Sequence, residues 1–360
     1  MGKLREIDEA KDQEDAVAKT ALRLALICMV VFFSVGTVAR ILRKSNGAEA
    51  RFGNEVLRVV ADVPLTGPAV RFDYQSLDPS TGVLYIAHMD AGQLVVFDLG
   101  KRAVIQTLDG FHGVHGVIAV PEEKRVYASV TGDHEVAAVD SETLRTVARV
   151  GTIRYPDGLA YAPGPRRVFV SDEHGDLDAV IDVRSNTLLK KIPLGGGAGN
   201  TVYDRGSGKI LVAVHGKNEL AVIDPVTLEI TQQVALPGIS DPHGIALDTE
   251  NRLAFVAGEG NNQMAVLDLN TMQVNGKYAV GRDPDVLAFD PGTRRLYVAA
   301  ESGQVKVFRE DSRNLVFAGS IDISHAHTVA VDPRTHLVYF PLQNVEGKPV
   351  LRIMEAGTQR

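Results

Sequence analysis

The chain has 360 residues, a net charge of −7 and 45% hydrophobic residues, enough for one large core or two ordinary ones. No long basic run appears, so bulk charge gives no support to nucleic-acid binding and none is expected. A single cysteine, Cys28, and the absence of tryptophan exclude an internal disulfide, a cysteine-based zinc or haem attachment, and any cofactor built from a modified tryptophan.

Residues 1–20 form a polar tail of mixed charge. Leu24 to Ala39 is then an apolar run with no charge inside it. It falls slightly short of the ~20 residues a bilayer requires. Ala21 and Leu22 lengthen it if Arg23 snorkels to the interface. The expectation is a single transmembrane anchor over 21–41, followed by a linker over 42–54. Ala48-Glu49-Ala50 has the small-x-small form of a cleavage site. However, Arg40, Arg43 and Lys44 stand between it and the apolar run, which favours an uncleaved anchor over secretion after cleavage near Ala50.

From residue 55 to 355 the sequence repeats. Asp73, His115, Asp157, Asn200, His243, Asp285 and His327 recur at spacings of 42, 42, 43, 43, 42 and 42. Each opens a short apolar strand, followed by a turn such as DPSTG (78–82) or DPGT (290–293), then a strand centred on a large residue. Those residues are Tyr85, Tyr127, Phe169, Leu211, Phe255, Tyr297 and Tyr339, read as packing between neighbouring units. A third strand ends in Asp98, Asp140, Asp182, Asp224 or Asp268, placed to bond the next turn's backbone. Seven copies at this period predict an all-β fold, a seven-bladed β-propeller with four strands per blade. The seventh copy lacks its fourth strand. Residues 55–66 resemble a fourth strand, so the N-terminal strand is expected to pair with 349–354 and close the ring. Residues 356–360 are left as a tail.

Segments such as RLYVAAESGQVKVF (295–308) and KILVAVHGKNELAVIDPVTLEI (209–230) resemble the YVTN-repeat β-propellers, grouped with YncE-like and cytochrome-d1-like propellers. The resemblance spans all seven blades and rests on packing and turn residues, so it speaks to fold more than to function. Family members are often exported to the bacterial periplasm or cell surface. The resemblance therefore implies an inner-membrane anchor with the propeller outside the cytoplasm. The haem-ligand and electron-donor parts of the d1 relatives are absent here. YPDGLAYAPGPRRVFVSDE (155–173) is similar to lactonase-like propellers, but Asp157 stands where those often carry a metal-binding Asn.

Nine of the ten histidines map to one face of such a propeller, at first-strand starts or in loops after second strands. His336 alone maps to the other. The first-strand ring reads Asp73, His115, Asp157, Asn200, His243, Asp285, His327. Glu173, His215, Glu259 and Glu301 are expected to rim it from the second-to-third-strand loops. Two readings of the ring stand. One is a belt of hydrogen bonds in which each carboxylate orients a neighbouring imidazole. The other is a divalent-metal site drawn from His115, Asp157, His243, Asp285 and His327, a ligand set suited to zinc or another transition ion. The HxH pair His325 and His327 is a poor chelate, because alternate strand residues point to opposite sides. GGGAG (195–199) is read as a turn between blades. The expected function is a membrane-tethered module that binds a small ligand, an ion or a partner protein at this channel mouth. A metal-dependent hydrolase or lactonase is the alternative.

Overall fold

The computed structural model describes residues 56–357. The expected membrane anchor and linker lie outside them. No helix among the described residues is long and apolar enough to cross a membrane.

Seven four-stranded antiparallel sheets form from the seven repeats. In the first, Gln75–Asp78, Val83–His88, Gln93–Asp98 and Ala103–Asp109 follow one another outward from the axis. Blades two to six span 114–151, 156–193, 198–235, 242–279 and 284–322 in the same order. The seventh combines Ala330–Val331, Val338–Val345 and Lys348–Ala356 with the N-terminal strand Leu57–Pro64. Leu57 lies opposite Ala356 and Pro64 opposite Val350, so the ring closes as the missing fourth strand required. Arg352 donates to both carboxylate oxygens of Asp62 across this seam, at 2.8 and 2.6 Å.

The apolar alternation of the strands produces seven separate cores, one between each pair of neighbouring blades. Each contains one of the large second-strand residues. All seven are buried. The third-strand aspartates accept backbone N–H groups of their turns at 2.8–2.9 Å, as their position before a turn implied. On the same face of the propeller, the first-turn aspartates also reach the next blade. Arg252 binds Asp204 at 2.5 and 2.8 Å, and His336 lies 3.0 Å from Asp290. These contacts tie blades four to five and six to seven.

Candidate site at the channel mouth

One local feature aims the ring residues. In blades two to six the pairing between the first and second strands shifts by one residue at the ring position, for example between Val114 and Val117 and between Pro242 and Ile245. A bulge of this kind bends a strand and re-aims its side chains. In blades two, three and five the residue after the ring position is a glycine, set where the inner strands converge. A Cβ on Gly116 would lie 1.9 Å from the Asp157 carbonyl oxygen, and one on Gly244 2.0 Å from that of Asp285. The Asp157 carbonyl is pinned by the Ser129 hydroxyl at 2.6 Å, so it cannot retreat cheaply. Gly116→Ala is expected to destabilise the fold by about 1–3 kcal/mol. Urea unfolding measures it, and an unchanged midpoint would contradict the close approach.

Six of the seven ring residues are buried and His115 is half-buried. They do not form a continuous belt. One close carboxylate–imidazole bond joins the ring directly, Asp285 Oδ2 to His327 Nδ1 at 2.8 Å. His327 Nε2 meets the Phe72 carbonyl at 2.9 Å. A carbonyl only accepts, so Nε2 carries a proton, and an ionised Asp285 requires a second proton on Nδ1. Burial opposes charge on His327, but the bond and charge of Asp285 prevail and its pKa is raised. Burial likewise opposes charge on Asp285, and His327 and its neighbours hold its pKa below the usual range.

Arg71 completes this side of the mouth. It grips Glu301 through two bonds, at 2.6 and 3.2 Å, and its Nη2 lies 3.5 Å from His327 Nδ1. Asp73 shares the neighbourhood. Burial and the Asp285 charge push its carboxyl up to about 6. His115 stands apart from any ligand role in this arrangement. Its Nδ1 lies 2.7 Å from the Gly113 carbonyl, and Nε2 lies 3.1 Å from the Tyr155 hydroxyl. Asp73 is 4.0 Å away.

Across the mouth, His243 Nδ1 lies 3.2 Å from His215 Nε2 and 3.7 Å from Glu259 Oε1. His243 Nε2 lies 3.0 Å from the Tyr74 hydroxyl and 3.6 Å from Asp285 Oδ1. Burial opposes charge on His243, but Glu259, Asp285, Asp157 and Glu173 outweigh it and lift the imidazole to about 9. Burial and the His243 charge push His215 down to about 4. His243 therefore donates and His215 accepts. Asp157 Oδ1 is buried with no hydrogen-bond partner among the described residues. Burial pushes this carboxyl up to about 7, with Asp73 and Glu173 adding to it and His243 and His115 opposing.

Beneath the ring the channel opens into a cavity of about 390 Å³, walled by residues such as Ile118, Leu159, Ile245 and Phe289 and reaching Tyr74 and Asn200 at its polar end.

The nine histidines of this face do not converge. His115, His215, His243 and His327 enter the mouth network. His88 is buried and stacks on Phe72 at 4.0 Å. His112 pairs with Asp133, His134 with the Arg154 carbonyl, and His174 packs at a tilt against Tyr155, ring centres 4.1 Å apart. His325 is exposed with φ at +66°, while His327 two residues on is buried. Glu173 raises the pKa of Asp157 and Tyr155 by its charge and so faces the same space.

Arg71, Tyr74 and Tyr155 take part without having been singled out from the sequence. A signal for them existed in the repeat. Tyr74 follows its ring residue where three other blades carry Gly116, Gly158 and Gly244. Arg71 and Tyr155 precede theirs by two, where Gly113 and Ala198 stand elsewhere.

No family model matches the chain, and no curated protein matches it. Among solved structures, its fold is similar to a chain of hydrazine synthase from Kuenenia stuttgartiensis. The TM-score is 0.68 at 13% identity, over 82% of this chain and 97% of that one. At that identity the likeness concerns the propeller fold alone.

Proposed function

We propose that this propeller is a binding module whose mouth receives a cationic ligand. The carrying observation is Asp157 Oδ1, a buried carboxylate oxygen with no partner among the described residues. A buried polar atom of this kind calls for an occupant. The balance of charge points the same way. Asp73, Asp157, Asp285, Glu173, Glu259 and Glu301 gather there against Arg71 and the imidazoles of His243 and His327. Low-dielectric walls strengthen such an excess of acid and favour a positive guest. An anion would meet this cluster unfavourably.

Thermal unfolding of the full chain tests the reading, with Mn²⁺, spermidine and inorganic phosphate as probes. At least one cation is expected to raise the midpoint, and phosphate to leave it unmoved. Asp157→Asn keeps the shape and removes the charge, so it should weaken spermidine about tenfold, the range of one charged hydrogen bond. Stabilisation by phosphate alone, or full spermidine binding in Asp157→Asn, would overturn the proposal.

A further inference from the structure

We infer that one divalent transition-metal ion is held by His215 Nε2, His243 Nδ1 and a carboxylate oxygen of Glu259. The inference rests on reading the mouth as a cation site and adds to it a metal ion held by residues other than Asp157. These three ligand atoms lie within 4.8 Å of one another. The two nitrogens are 3.2 Å apart. Nitrogens bound to one ion at about 2.0–2.1 Å stand about 2.8–3.4 Å apart for bond angles between octahedral and tetrahedral. The pair is thus already at chelating distance, and the ion would displace the proton that His243 Nδ1 donates to His215. Glu259 Oε1 lies 3.7 Å from His243 Nδ1, on a half-buried side chain that can close the remaining gap.

The surroundings fit as well. His243 turns its other nitrogen to the Tyr74 hydroxyl at 3.0 Å, with Asp285 Oδ1 at 3.6 Å behind it. Metal-binding histidines usually orient their second nitrogen on a polar group of this kind. Room for the His215 ring comes from Gly199. A Cβ there would sit 3.0 Å from His215 Nε2 and 2.9 Å from the His243 Cα. Of the GGGAG segment, 195–197 make the turn between blades, while Ala198 and Gly199 already open the inner strand of blade four, where Gly199 makes space for a ligand. Two imidazoles and one carboxylate form a set that suits zinc and other first-row ions, and Glu259 is exposed enough for solvent to reach it.

A second trio, Asp73, Asp285 and His327, also falls within 4.8 Å. Its space already holds a cation, since Arg71 Nη2 lies 3.5 Å from His327 Nδ1 and binds Glu301. Repulsion from that guanidinium disfavours a metal ion there.

Titration of the full chain with Co²⁺, followed by visible ligand-field absorption, is the test. The expected result is one equivalent bound and displaced by Zn²⁺. Absorption should be lost in His215→Ala, and affinity should fall by at least about tenfold in Glu259→Gln. If His215→Ala fails to fold by circular dichroism, His215→Phe keeps the ring volume without the nitrogens. Bands that survive the His215 variants and vanish in His327→Ala would overturn the inference in favour of the second trio. Absence of Co²⁺ binding, with spermidine still raising the midpoint, would overturn the inference and leave the cation reading standing. Absence of both would remove both.

Discussion

Deleting residues 57–64 should abolish cooperative folding of the propeller or lower its midpoint drastically. This strand supplies the outer edge of blade seven and joins the two ends of the ring. Its loss bares the nine-residue strand Lys348–Ala356 along one edge. An unpaired edge of that length is a template for aggregation. It also removes buried Leu57 and unseats buried Val56 and Leu65 from the cores on either side of blade seven. At about 1.5–3 kcal/mol for each such side chain, the loss is comparable with the whole stability of a typical domain, about 5–15 kcal/mol. The measurement is thermal and urea unfolding, with a synthetic peptide of residues 55–66 added back. Rescue by the peptide would tie the defect to the missing strand. An unchanged midpoint after deletion would refute ring closure as a source of stability.

Asp178→Asn should stabilise the protein at about pH 8 and do so much less at about pH 5. Asp178 lies in the third strand of blade three with no exposure, and its Oδ1 accepts the Val170 N–H at 3.0 Å. Burial pushes its carboxyl up to about 7, partly offset by the Thr201 hydroxyl and that backbone bond. The unfolded chain holds the same group near about 3.9. A raised folded pKa means that the native state binds the proton more tightly. The associated stability is fully present below about pH 4 and is lost as pH rises through about 7. The gap of about three units bounds the effect at about 4 kcal/mol. Asn retains an oxygen for Val170 and carries no charge at any pH, so the difference between variant and wild type isolates this group from Asp73 and Asp157. Urea midpoints at both pH values measure it. Equal destabilisation at both would contradict a carboxyl kept neutral by burial.

The fold was legible in the chain because its determinants are local and repeated. A residue such as Tyr127 or Phe255 does the same packing in every blade, and an Asp such as Asp182 does the same turn bonding. The closing strand was legible because the seventh copy ends after LRIM, one strand short. The ring at the mouth was also legible, since Asp73 through His327 share one register. Which of them meet was not. Contacts across the axis join residues far apart in sequence, such as Tyr74 with His243 and Arg71 with Glu301, and spacing within a repeat says nothing about reach across it. His115 and His243 look equivalent in the repeat. Yet the Gly113 carbonyl and Tyr155 engage one, while His215 and Tyr74 face the other. Histidines that share a face also need not share a site: His88 turns into the wall against Phe72, and His112 and His134 stay at the periphery.

The central claim is that the mouth holds a cation, and anomalous diffraction from crystals of the full chain grown with one equivalent of Zn²⁺ tests it most directly. The account predicts a single zinc peak about 2.0–2.2 Å from His215 Nε2, His243 Nδ1 and a Glu259 oxygen, with the Arg71–Glu301 pair unmoved. Zinc found only at surface residues, with His243 still bonded to His215, would contradict it.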